Sequence, residues 1–167
     1  MDIAITKGRG RDRVEIVRAD GSRAFAEVPH KGPVPHDAVH YFVEYGLGLS
    51  HGFWGMLATG HDPENLATLA REAGHASAAR AGVPDQAIVA LLQAERLVEC
   101  FEADLWAGSG DNGALIAMAQ SGWQASNVAP LVVDEGALDA VRDALAEFAC
   151  EWMDAPEEHV ARFIWRL

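Results

Sequence analysis

The first thirty residues alternate in polarity. Ile3 and Ile5 are spaced by two, Val14 and Ile16 stand against Glu15 and Val17, and Ala24, Ala26 and Val28 stand against Phe25 and Glu27. A period of two marks strands with one buried face. Gly8-Arg9-Gly10 and Asp20-Gly21 fall between the runs and supply turn chemistry. The pattern predicts a three-stranded antiparallel β-meander over residues 2–28.

Beyond Pro33 the period becomes helical. Pro33-Val34-Pro35 is a stiff, extended entry to a short helix from His36 to about Leu47, closed by Gly46 or Gly48. Asp62-Pro63 joins an N-cap to a proline at the first helical position, which predicts a helix to about Arg80. After the break at Gly82-Val83-Pro84-Asp85, a long helix is expected to about Trp106. The loop Ala107–Gly113 leads to a helix through Gln120, and Asp134 begins another to about Met153. Asp154-Ala155-Pro156-Glu157 has capping-box spacing and predicts a terminal helix to Arg166. Leu131-Val132-Val133 is too short to assign. With no repeat and no long linker, the expectation is one α+β domain over residues 1–167. Its β-meander occupies residues 1–31, and a bundle of five to six helices occupies residues 32–167.

Charge changes at the same boundary. Residues 1–31 carry seven basic and five acidic side chains, whereas residues 32–167 carry six basic and 20 acidic ones. A whole-chain charge of −12 argues against nucleic-acid and anionic-membrane partners. Half the residues are hydrophobic, enough to bury a core, yet runs such as Ala114–Ala119 are too short to span a bilayer. The opening MDIAITKGRGRDR lacks an apolar signal core, so a cytoplasmic location is expected. Cys100 and Cys150 lie fifty residues apart without metal-ligand spacing, and two buried free thiols are expected.

The sharpest chemical feature is His36-Asp37-Ala38-Val39-His40. Histidines at i and i+4 share one helix face and can bring two neutral imidazoles to one metal ion. They border the apolar arc of Val39, Phe42, Val43 and Leu47, a position that lines a cleft. Glu44 continues the stripe but starts ~12 Å along the axis from His36, too far to join it on one ion. The long helix over 85–106 sets Glu95, Glu99 and Glu102 in the middle of the side that also carries Ile88, Leu91, Leu92, Val98 and Trp106. Carboxylates on such a side need a metal, a basic partner such as Arg96, or water.

Over these five residues and the small sheet before them, the chain resembles the zincin metallopeptidases. The resemblance implies Zn2+ or another divalent metal on His36 and His40. Zincins place a Glu between the histidines as general base; here the position is Asp37, one methylene shorter. Gluzincins take a third ligand from a later helix, which implies Glu95 or Glu99. The function so implied is a small metal-binding protein with metal-dependent hydrolase chemistry.

The other reading is a structural or protein-interaction domain with an acidic helical surface and no metal. In that reading the two histidines bond to backbone, and Val160, Phe163, Ile164 and Trp165 close the core or support a homodimer. His30 lies near enough in sequence to join a site, while His51, His61 and His75 read as ordinary histidines. Trp54, flanked by Gly52 and Gly55, is either a lid or a hydrophobic plug. Gly108 to Gly113 fits G-x-G-x-x-G but follows a helix instead of a strand, so no nucleotide cofactor is expected.

Overall fold

The computed structural model describes residues 1–30, 32–66, 68–69 and 85–167. Strands β1 (Asp2–Thr6), β2 (Arg11–Val17) and β3 (Arg23–Pro29) form the expected antiparallel meander. Gly10 and Gly21 take left-handed backbone in its two turns, at φ 81° and 82°. Helices follow: α1 (His36–Gly46), α2 (Phe53–Ala58), α3 (Val89–Ala107, entered through a 3-10 turn at Gln86–Ile88), α4 (Asn112–Ala125) and α5 (Glu135–Asp154). The architecture is α+β. Asp111 and Asp134 cap α4 and α5 by accepting from the backbone N–H groups of Ala114 and Ala137. Asp62 caps a helical turn at 63–66 through Glu64 and Asn65. The helix expected from there to Arg80, with His75, lies mostly outside the described residues.

The chain ends differently from expectation. Instead of a terminal helix, Val160–Ile164 forms strand β4 beside β1, giving the sheet order β3-β2-β1-β4. The segment has a period of two that the capping-box spacing obscured. Ala161 and Phe163 face inward opposite Ile5 and Ile3, while Arg162 and Ile164 face out. Trp165 then buries its ring, and its backbone N–H donates to the carbonyl of Met1. All strand pairs in the sheet are antiparallel.

The inner face of the sheet, led by Ile3, Ile5, Val14 and Ile16, packs on the helices in one continuous core with Trp54, Phe101, Trp123 and Trp152. Trp54 is a plug, fully buried, with Nε1 donating to the carbonyl of Asp37. Cys100 is buried but Cys150, expected to be buried, faces outward on α5 because its helical face is turned away from the core. On β3 the inward positions are the small Ala24 and Ala26. They leave that part of the inner face shallow, and a cleft of about 680 Å³ opens between β2–β3, α1 and α3.

Candidate metal centre

The centre lies at the wall of this cleft, where α1 meets α3. Pro35 fixes an extended backbone and starts α1 at His36, so His36 occupies its first turn and His40 the next. Both imidazoles turn toward α3. Their Nε2 atoms are 3.2 Å apart, and the rings meet edge to face with centroids 4.7 Å apart. Glu95, one turn into α3, completes the group: Oε2 is 3.2 Å from His40 Nε2, and Oε1 is 3.5 Å from His36 Nε2.

The opposite edge of each imidazole is held by a different carboxylate. His36 Nδ1 is 2.8 Å from Glu102 Oε1, and His40 Nδ1 is 2.8 Å from Glu44 Oε1. An ionised carboxylate only accepts, so both Nδ1 atoms carry the N–H. In a neutral ring the lone pair then sits on Nε2. Two such lone pairs and the Glu95 carboxylate converge on one point and require a cation between them, either shared protons or a metal ion. The group can supply one ligand atom from each residue, all within 4.8 Å of one another. Donors ~2.1 Å from a tetrahedral ion lie ~3.4 Å apart, which the observed separations approach.

Protons can also occupy the centre. Burial opposes charging of His40, but hydrogen bonds to Glu44 and Glu95 outweigh it and raise its pKa to about 10. Burial likewise opposes charging of His36, and Glu102 and Glu95 raise it to about 8. Burial would raise Glu95, yet the two imidazoles hold it well below the usual carboxylate range. Two imidazolium protons and one divalent cation therefore leave the same net charge on these five side chains.

Glu44 does more than touch His40. Its side chain is fully buried, and its two oxygens also accept from the backbone N–H groups of Phe53 and Trp54 at 2.9 and 3.0 Å. The start of α2 is thereby tied to a candidate ligand. A Cβ on Gly52 would meet the Glu44 carboxyl carbon at 2.5 Å, so glycine is what lets this approach happen.

Glu99 stands apart from the triad. Its carboxylate pairs with Arg96 Nη1 at 2.8 Å, and the side chain is 47% exposed at the cleft. Asp37 also lines the cleft, directly after His36. His30 does not reach the group; its Nε2 pairs with the buried Asp12 at 2.8 Å. His51 and His61 are exposed. Trp106 is 59% exposed at the cleft, not packed on the apolar side of α3. Sequence reasoning placed Glu102 on the acidic stripe without giving it the task of holding His36. It set Glu44 aside by its distance from His36, although i+4 spacing from His40 signalled the contact that forms.

No family model, curated protein or solved structure matches the chain. No helix among the described residues is long and apolar enough to cross a membrane.

Proposed function

We propose that this protein binds a divalent metal ion, Zn2+ by its donor chemistry, through His36, His40 and Glu95, and uses it for hydrolysis. The observation that carries the reading is the pair of Nε2 lone pairs facing one carboxylate while both Nδ1 atoms are held by other carboxylates. Two imidazoles and one carboxylate form a donor set of catalytic zinc sites, and an outer carboxylate on each histidine orients the ring and strengthens it as a ligand. Three protein ligands leave a fourth position for water or substrate. Such an ion polarises a carbonyl and lowers the pKa of water.

The cleft supports the same reading. Val14, Ile16, Ala26 and Val28 give it an apolar floor beside the polar centre. A volume of about 680 Å³ suits a small molecule or a few residues of a chain. The substrate so favoured has an apolar body next to the bond that is cut. The resemblance of the histidine spacing to zincins, with a third ligand from a later helix, agrees with hydrolysis.

The second reading is a metal-free interaction domain, favoured by the capacity of the same cluster to satisfy itself with protons. Titration calorimetry with Zn2+ on untagged, chelator-treated protein separates the two. The metal reading expects one ion per chain, with binding lost in both His36→Ala and Glu95→Gln. Absence of saturable binding at micromolar Zn2+ would refute it.

A further inference from the structure

Hydrolysis at this centre needs a group that moves a proton between water and the leaving group, and two carboxylates compete for the task. Asp37 follows His36 by one position, which rotates it ~100° away from the face that carries both imidazoles. Glu99 follows Glu95 by one helical turn, on the same face of α3, and precedes Glu102 by three positions. Side chains so spaced are neighbours, ~5–6 Å apart at Cβ. Glu99 therefore stands between a candidate ligand and the residue that holds His36, with its side chain in the cleft.

We propose that Glu99 is the proton-transfer residue of the centre, acting on water held on the cleft side of His36, His40 and Glu95. The proposal rests on the metal reading above. Arg96 Nη1 grips Oε2 of Glu99 and fixes the carboxylate at the cleft. The Arg96 stem is itself set against α4, where a Cβ on Gly122 would lie 3.1 Å from Arg96 Cδ. The residue that holds Glu99 is thus itself packed between α3 and α4.

The step balances without another reagent. As the water oxygen bonds to the substrate carbonyl carbon, the Glu99 carboxylate takes one water proton. When the bond to the leaving group breaks, Glu99 returns that proton to the departing atom, and the second water proton remains with the acid product. Around Glu99 are Glu95, Arg96, Cys100 and Glu102 on its own helix, His36 on α1, and Glu64 across the cleft. Burial, with Glu95 and Glu102, raises the Glu99 pKa above the ordinary carboxylate value against the pull of Arg96 and His36. This moves it toward the range that suits an acid and base working near neutrality.

The test uses Co2+, whose visible spectrum reports its surroundings with no substrate present. Wild type, Glu99→Gln, Glu99→Asp and Asp37→Asn are loaded with excess Co2+ and titrated from pH 9 toward pH 5 by absorbance, over the range in which each keeps its Co2+. Glu99→Gln is expected to bind Co2+ within about threefold of wild type, because Glu99 is not a ligand, and to lose the acid-side spectral step. Glu99→Asp should restore that step at a shifted midpoint. Hydrolysis of a 4-nitrophenyl ester should fall about 100-fold in Glu99→Gln, the usual scale of general acid–base catalysis. An unchanged titration in Glu99→Gln, or loss of the step in Asp37→Asn instead, overturns the assignment to Glu99 while leaving the metal reading intact. Failure of wild type to take up Co2+ overturns both.

Discussion

Glu44 makes three hydrogen bonds with two oxygens, to His40 Nδ1 and to the amides of Phe53 and Trp54, all inside the protein. Glutamine at this position keeps the size but turns one acceptor into a donor, which must then face an N–H. A buried donor left unpaired costs about 1–3 kcal/mol. Glu44→Gln should therefore lower stability in urea by that amount. If the metal reading holds, it should also weaken Zn2+ binding about 10–100-fold, since an outer partner of a ligand is lost. Unchanged urea and zinc titrations would contradict both expectations. The residue also shows what local spacing can tell. Histidines at i and i+4 made the pairing of His36 and His40 legible from sequence, because a helix alone dictates it. Which carboxylate of α3 meets them was open between Glu95 and Glu99, because that depends on how α1 docks on α3, a tertiary matter. Arg96 resolved it in part, by drawing Glu99 into an ion pair.

At the scale of elements, the meander, α1, α3 and α5 were legible because each carries one clear period bounded by turn or cap residues. Strand β4 was not, because Asp154-Ala155-Pro156-Glu157 is equally good chemistry for ending a helix and turning. Glu158 in fact adopts left-handed backbone at φ 66°, and its N–H donates to the carbonyl of Lys7. The pull on the segment comes from β1, 154 or more residues away, whose second edge would otherwise lie open. Strand and helix make opposite demands on neighbouring residues. Phe163 faces inward with its ring 4.5 Å from Tyr41, 5.7 Å from Phe42 and 5.7 Å from Phe148, whereas Ile164 is half exposed on the other side. Phe163→Ala should cost about 2–3 kcal/mol, below the full cost of a wholly buried ring. Ile164→Ala should stay within about 0.5 kcal/mol of wild type. A terminal helix would set Phe163 and Ile164 at i+3 and i+4 from Val160, within one apolar arc, and make both changes costly, so paired urea denaturation curves distinguish the two.

For the whole molecule, the centre makes stability depend on pH in opposite ways with and without metal. His36 and His40 have folded pKa values of about 8 and about 10, above the ordinary 6.5. Their contribution in metal-free protein is complete below pH ~6.5 and is lost as pH rises, first through about 8 and then through about 10. The part due to His36 is on the order of 2 kcal/mol. Glu95, held below its ordinary value of 4.5, acts in the other direction, and its contribution is lost as the solution becomes more acid. Metal-free protein should thus be most stable between about pH 4.5 and 6.5, with thermal midpoints that decline toward pH 9. A divalent cation must displace the protons on Nε2, so its binding releases protons and strengthens with pH. Zinc at 100 times its dissociation constant adds about 2.7 kcal/mol to the folded state, and the same concentration reaches a higher multiple at higher pH. The rise in thermal midpoint caused by a fixed zinc concentration should therefore grow from pH 6 to pH 8.5, opposing the decline of the metal-free protein. In His36→Ala the zinc effect should vanish and the alkaline decline should become shallower, because one of the two titrating imidazoles is gone. A zinc-induced shift that stays constant from pH 6 to 8.5 would show that zinc binds elsewhere, without competing for these protons.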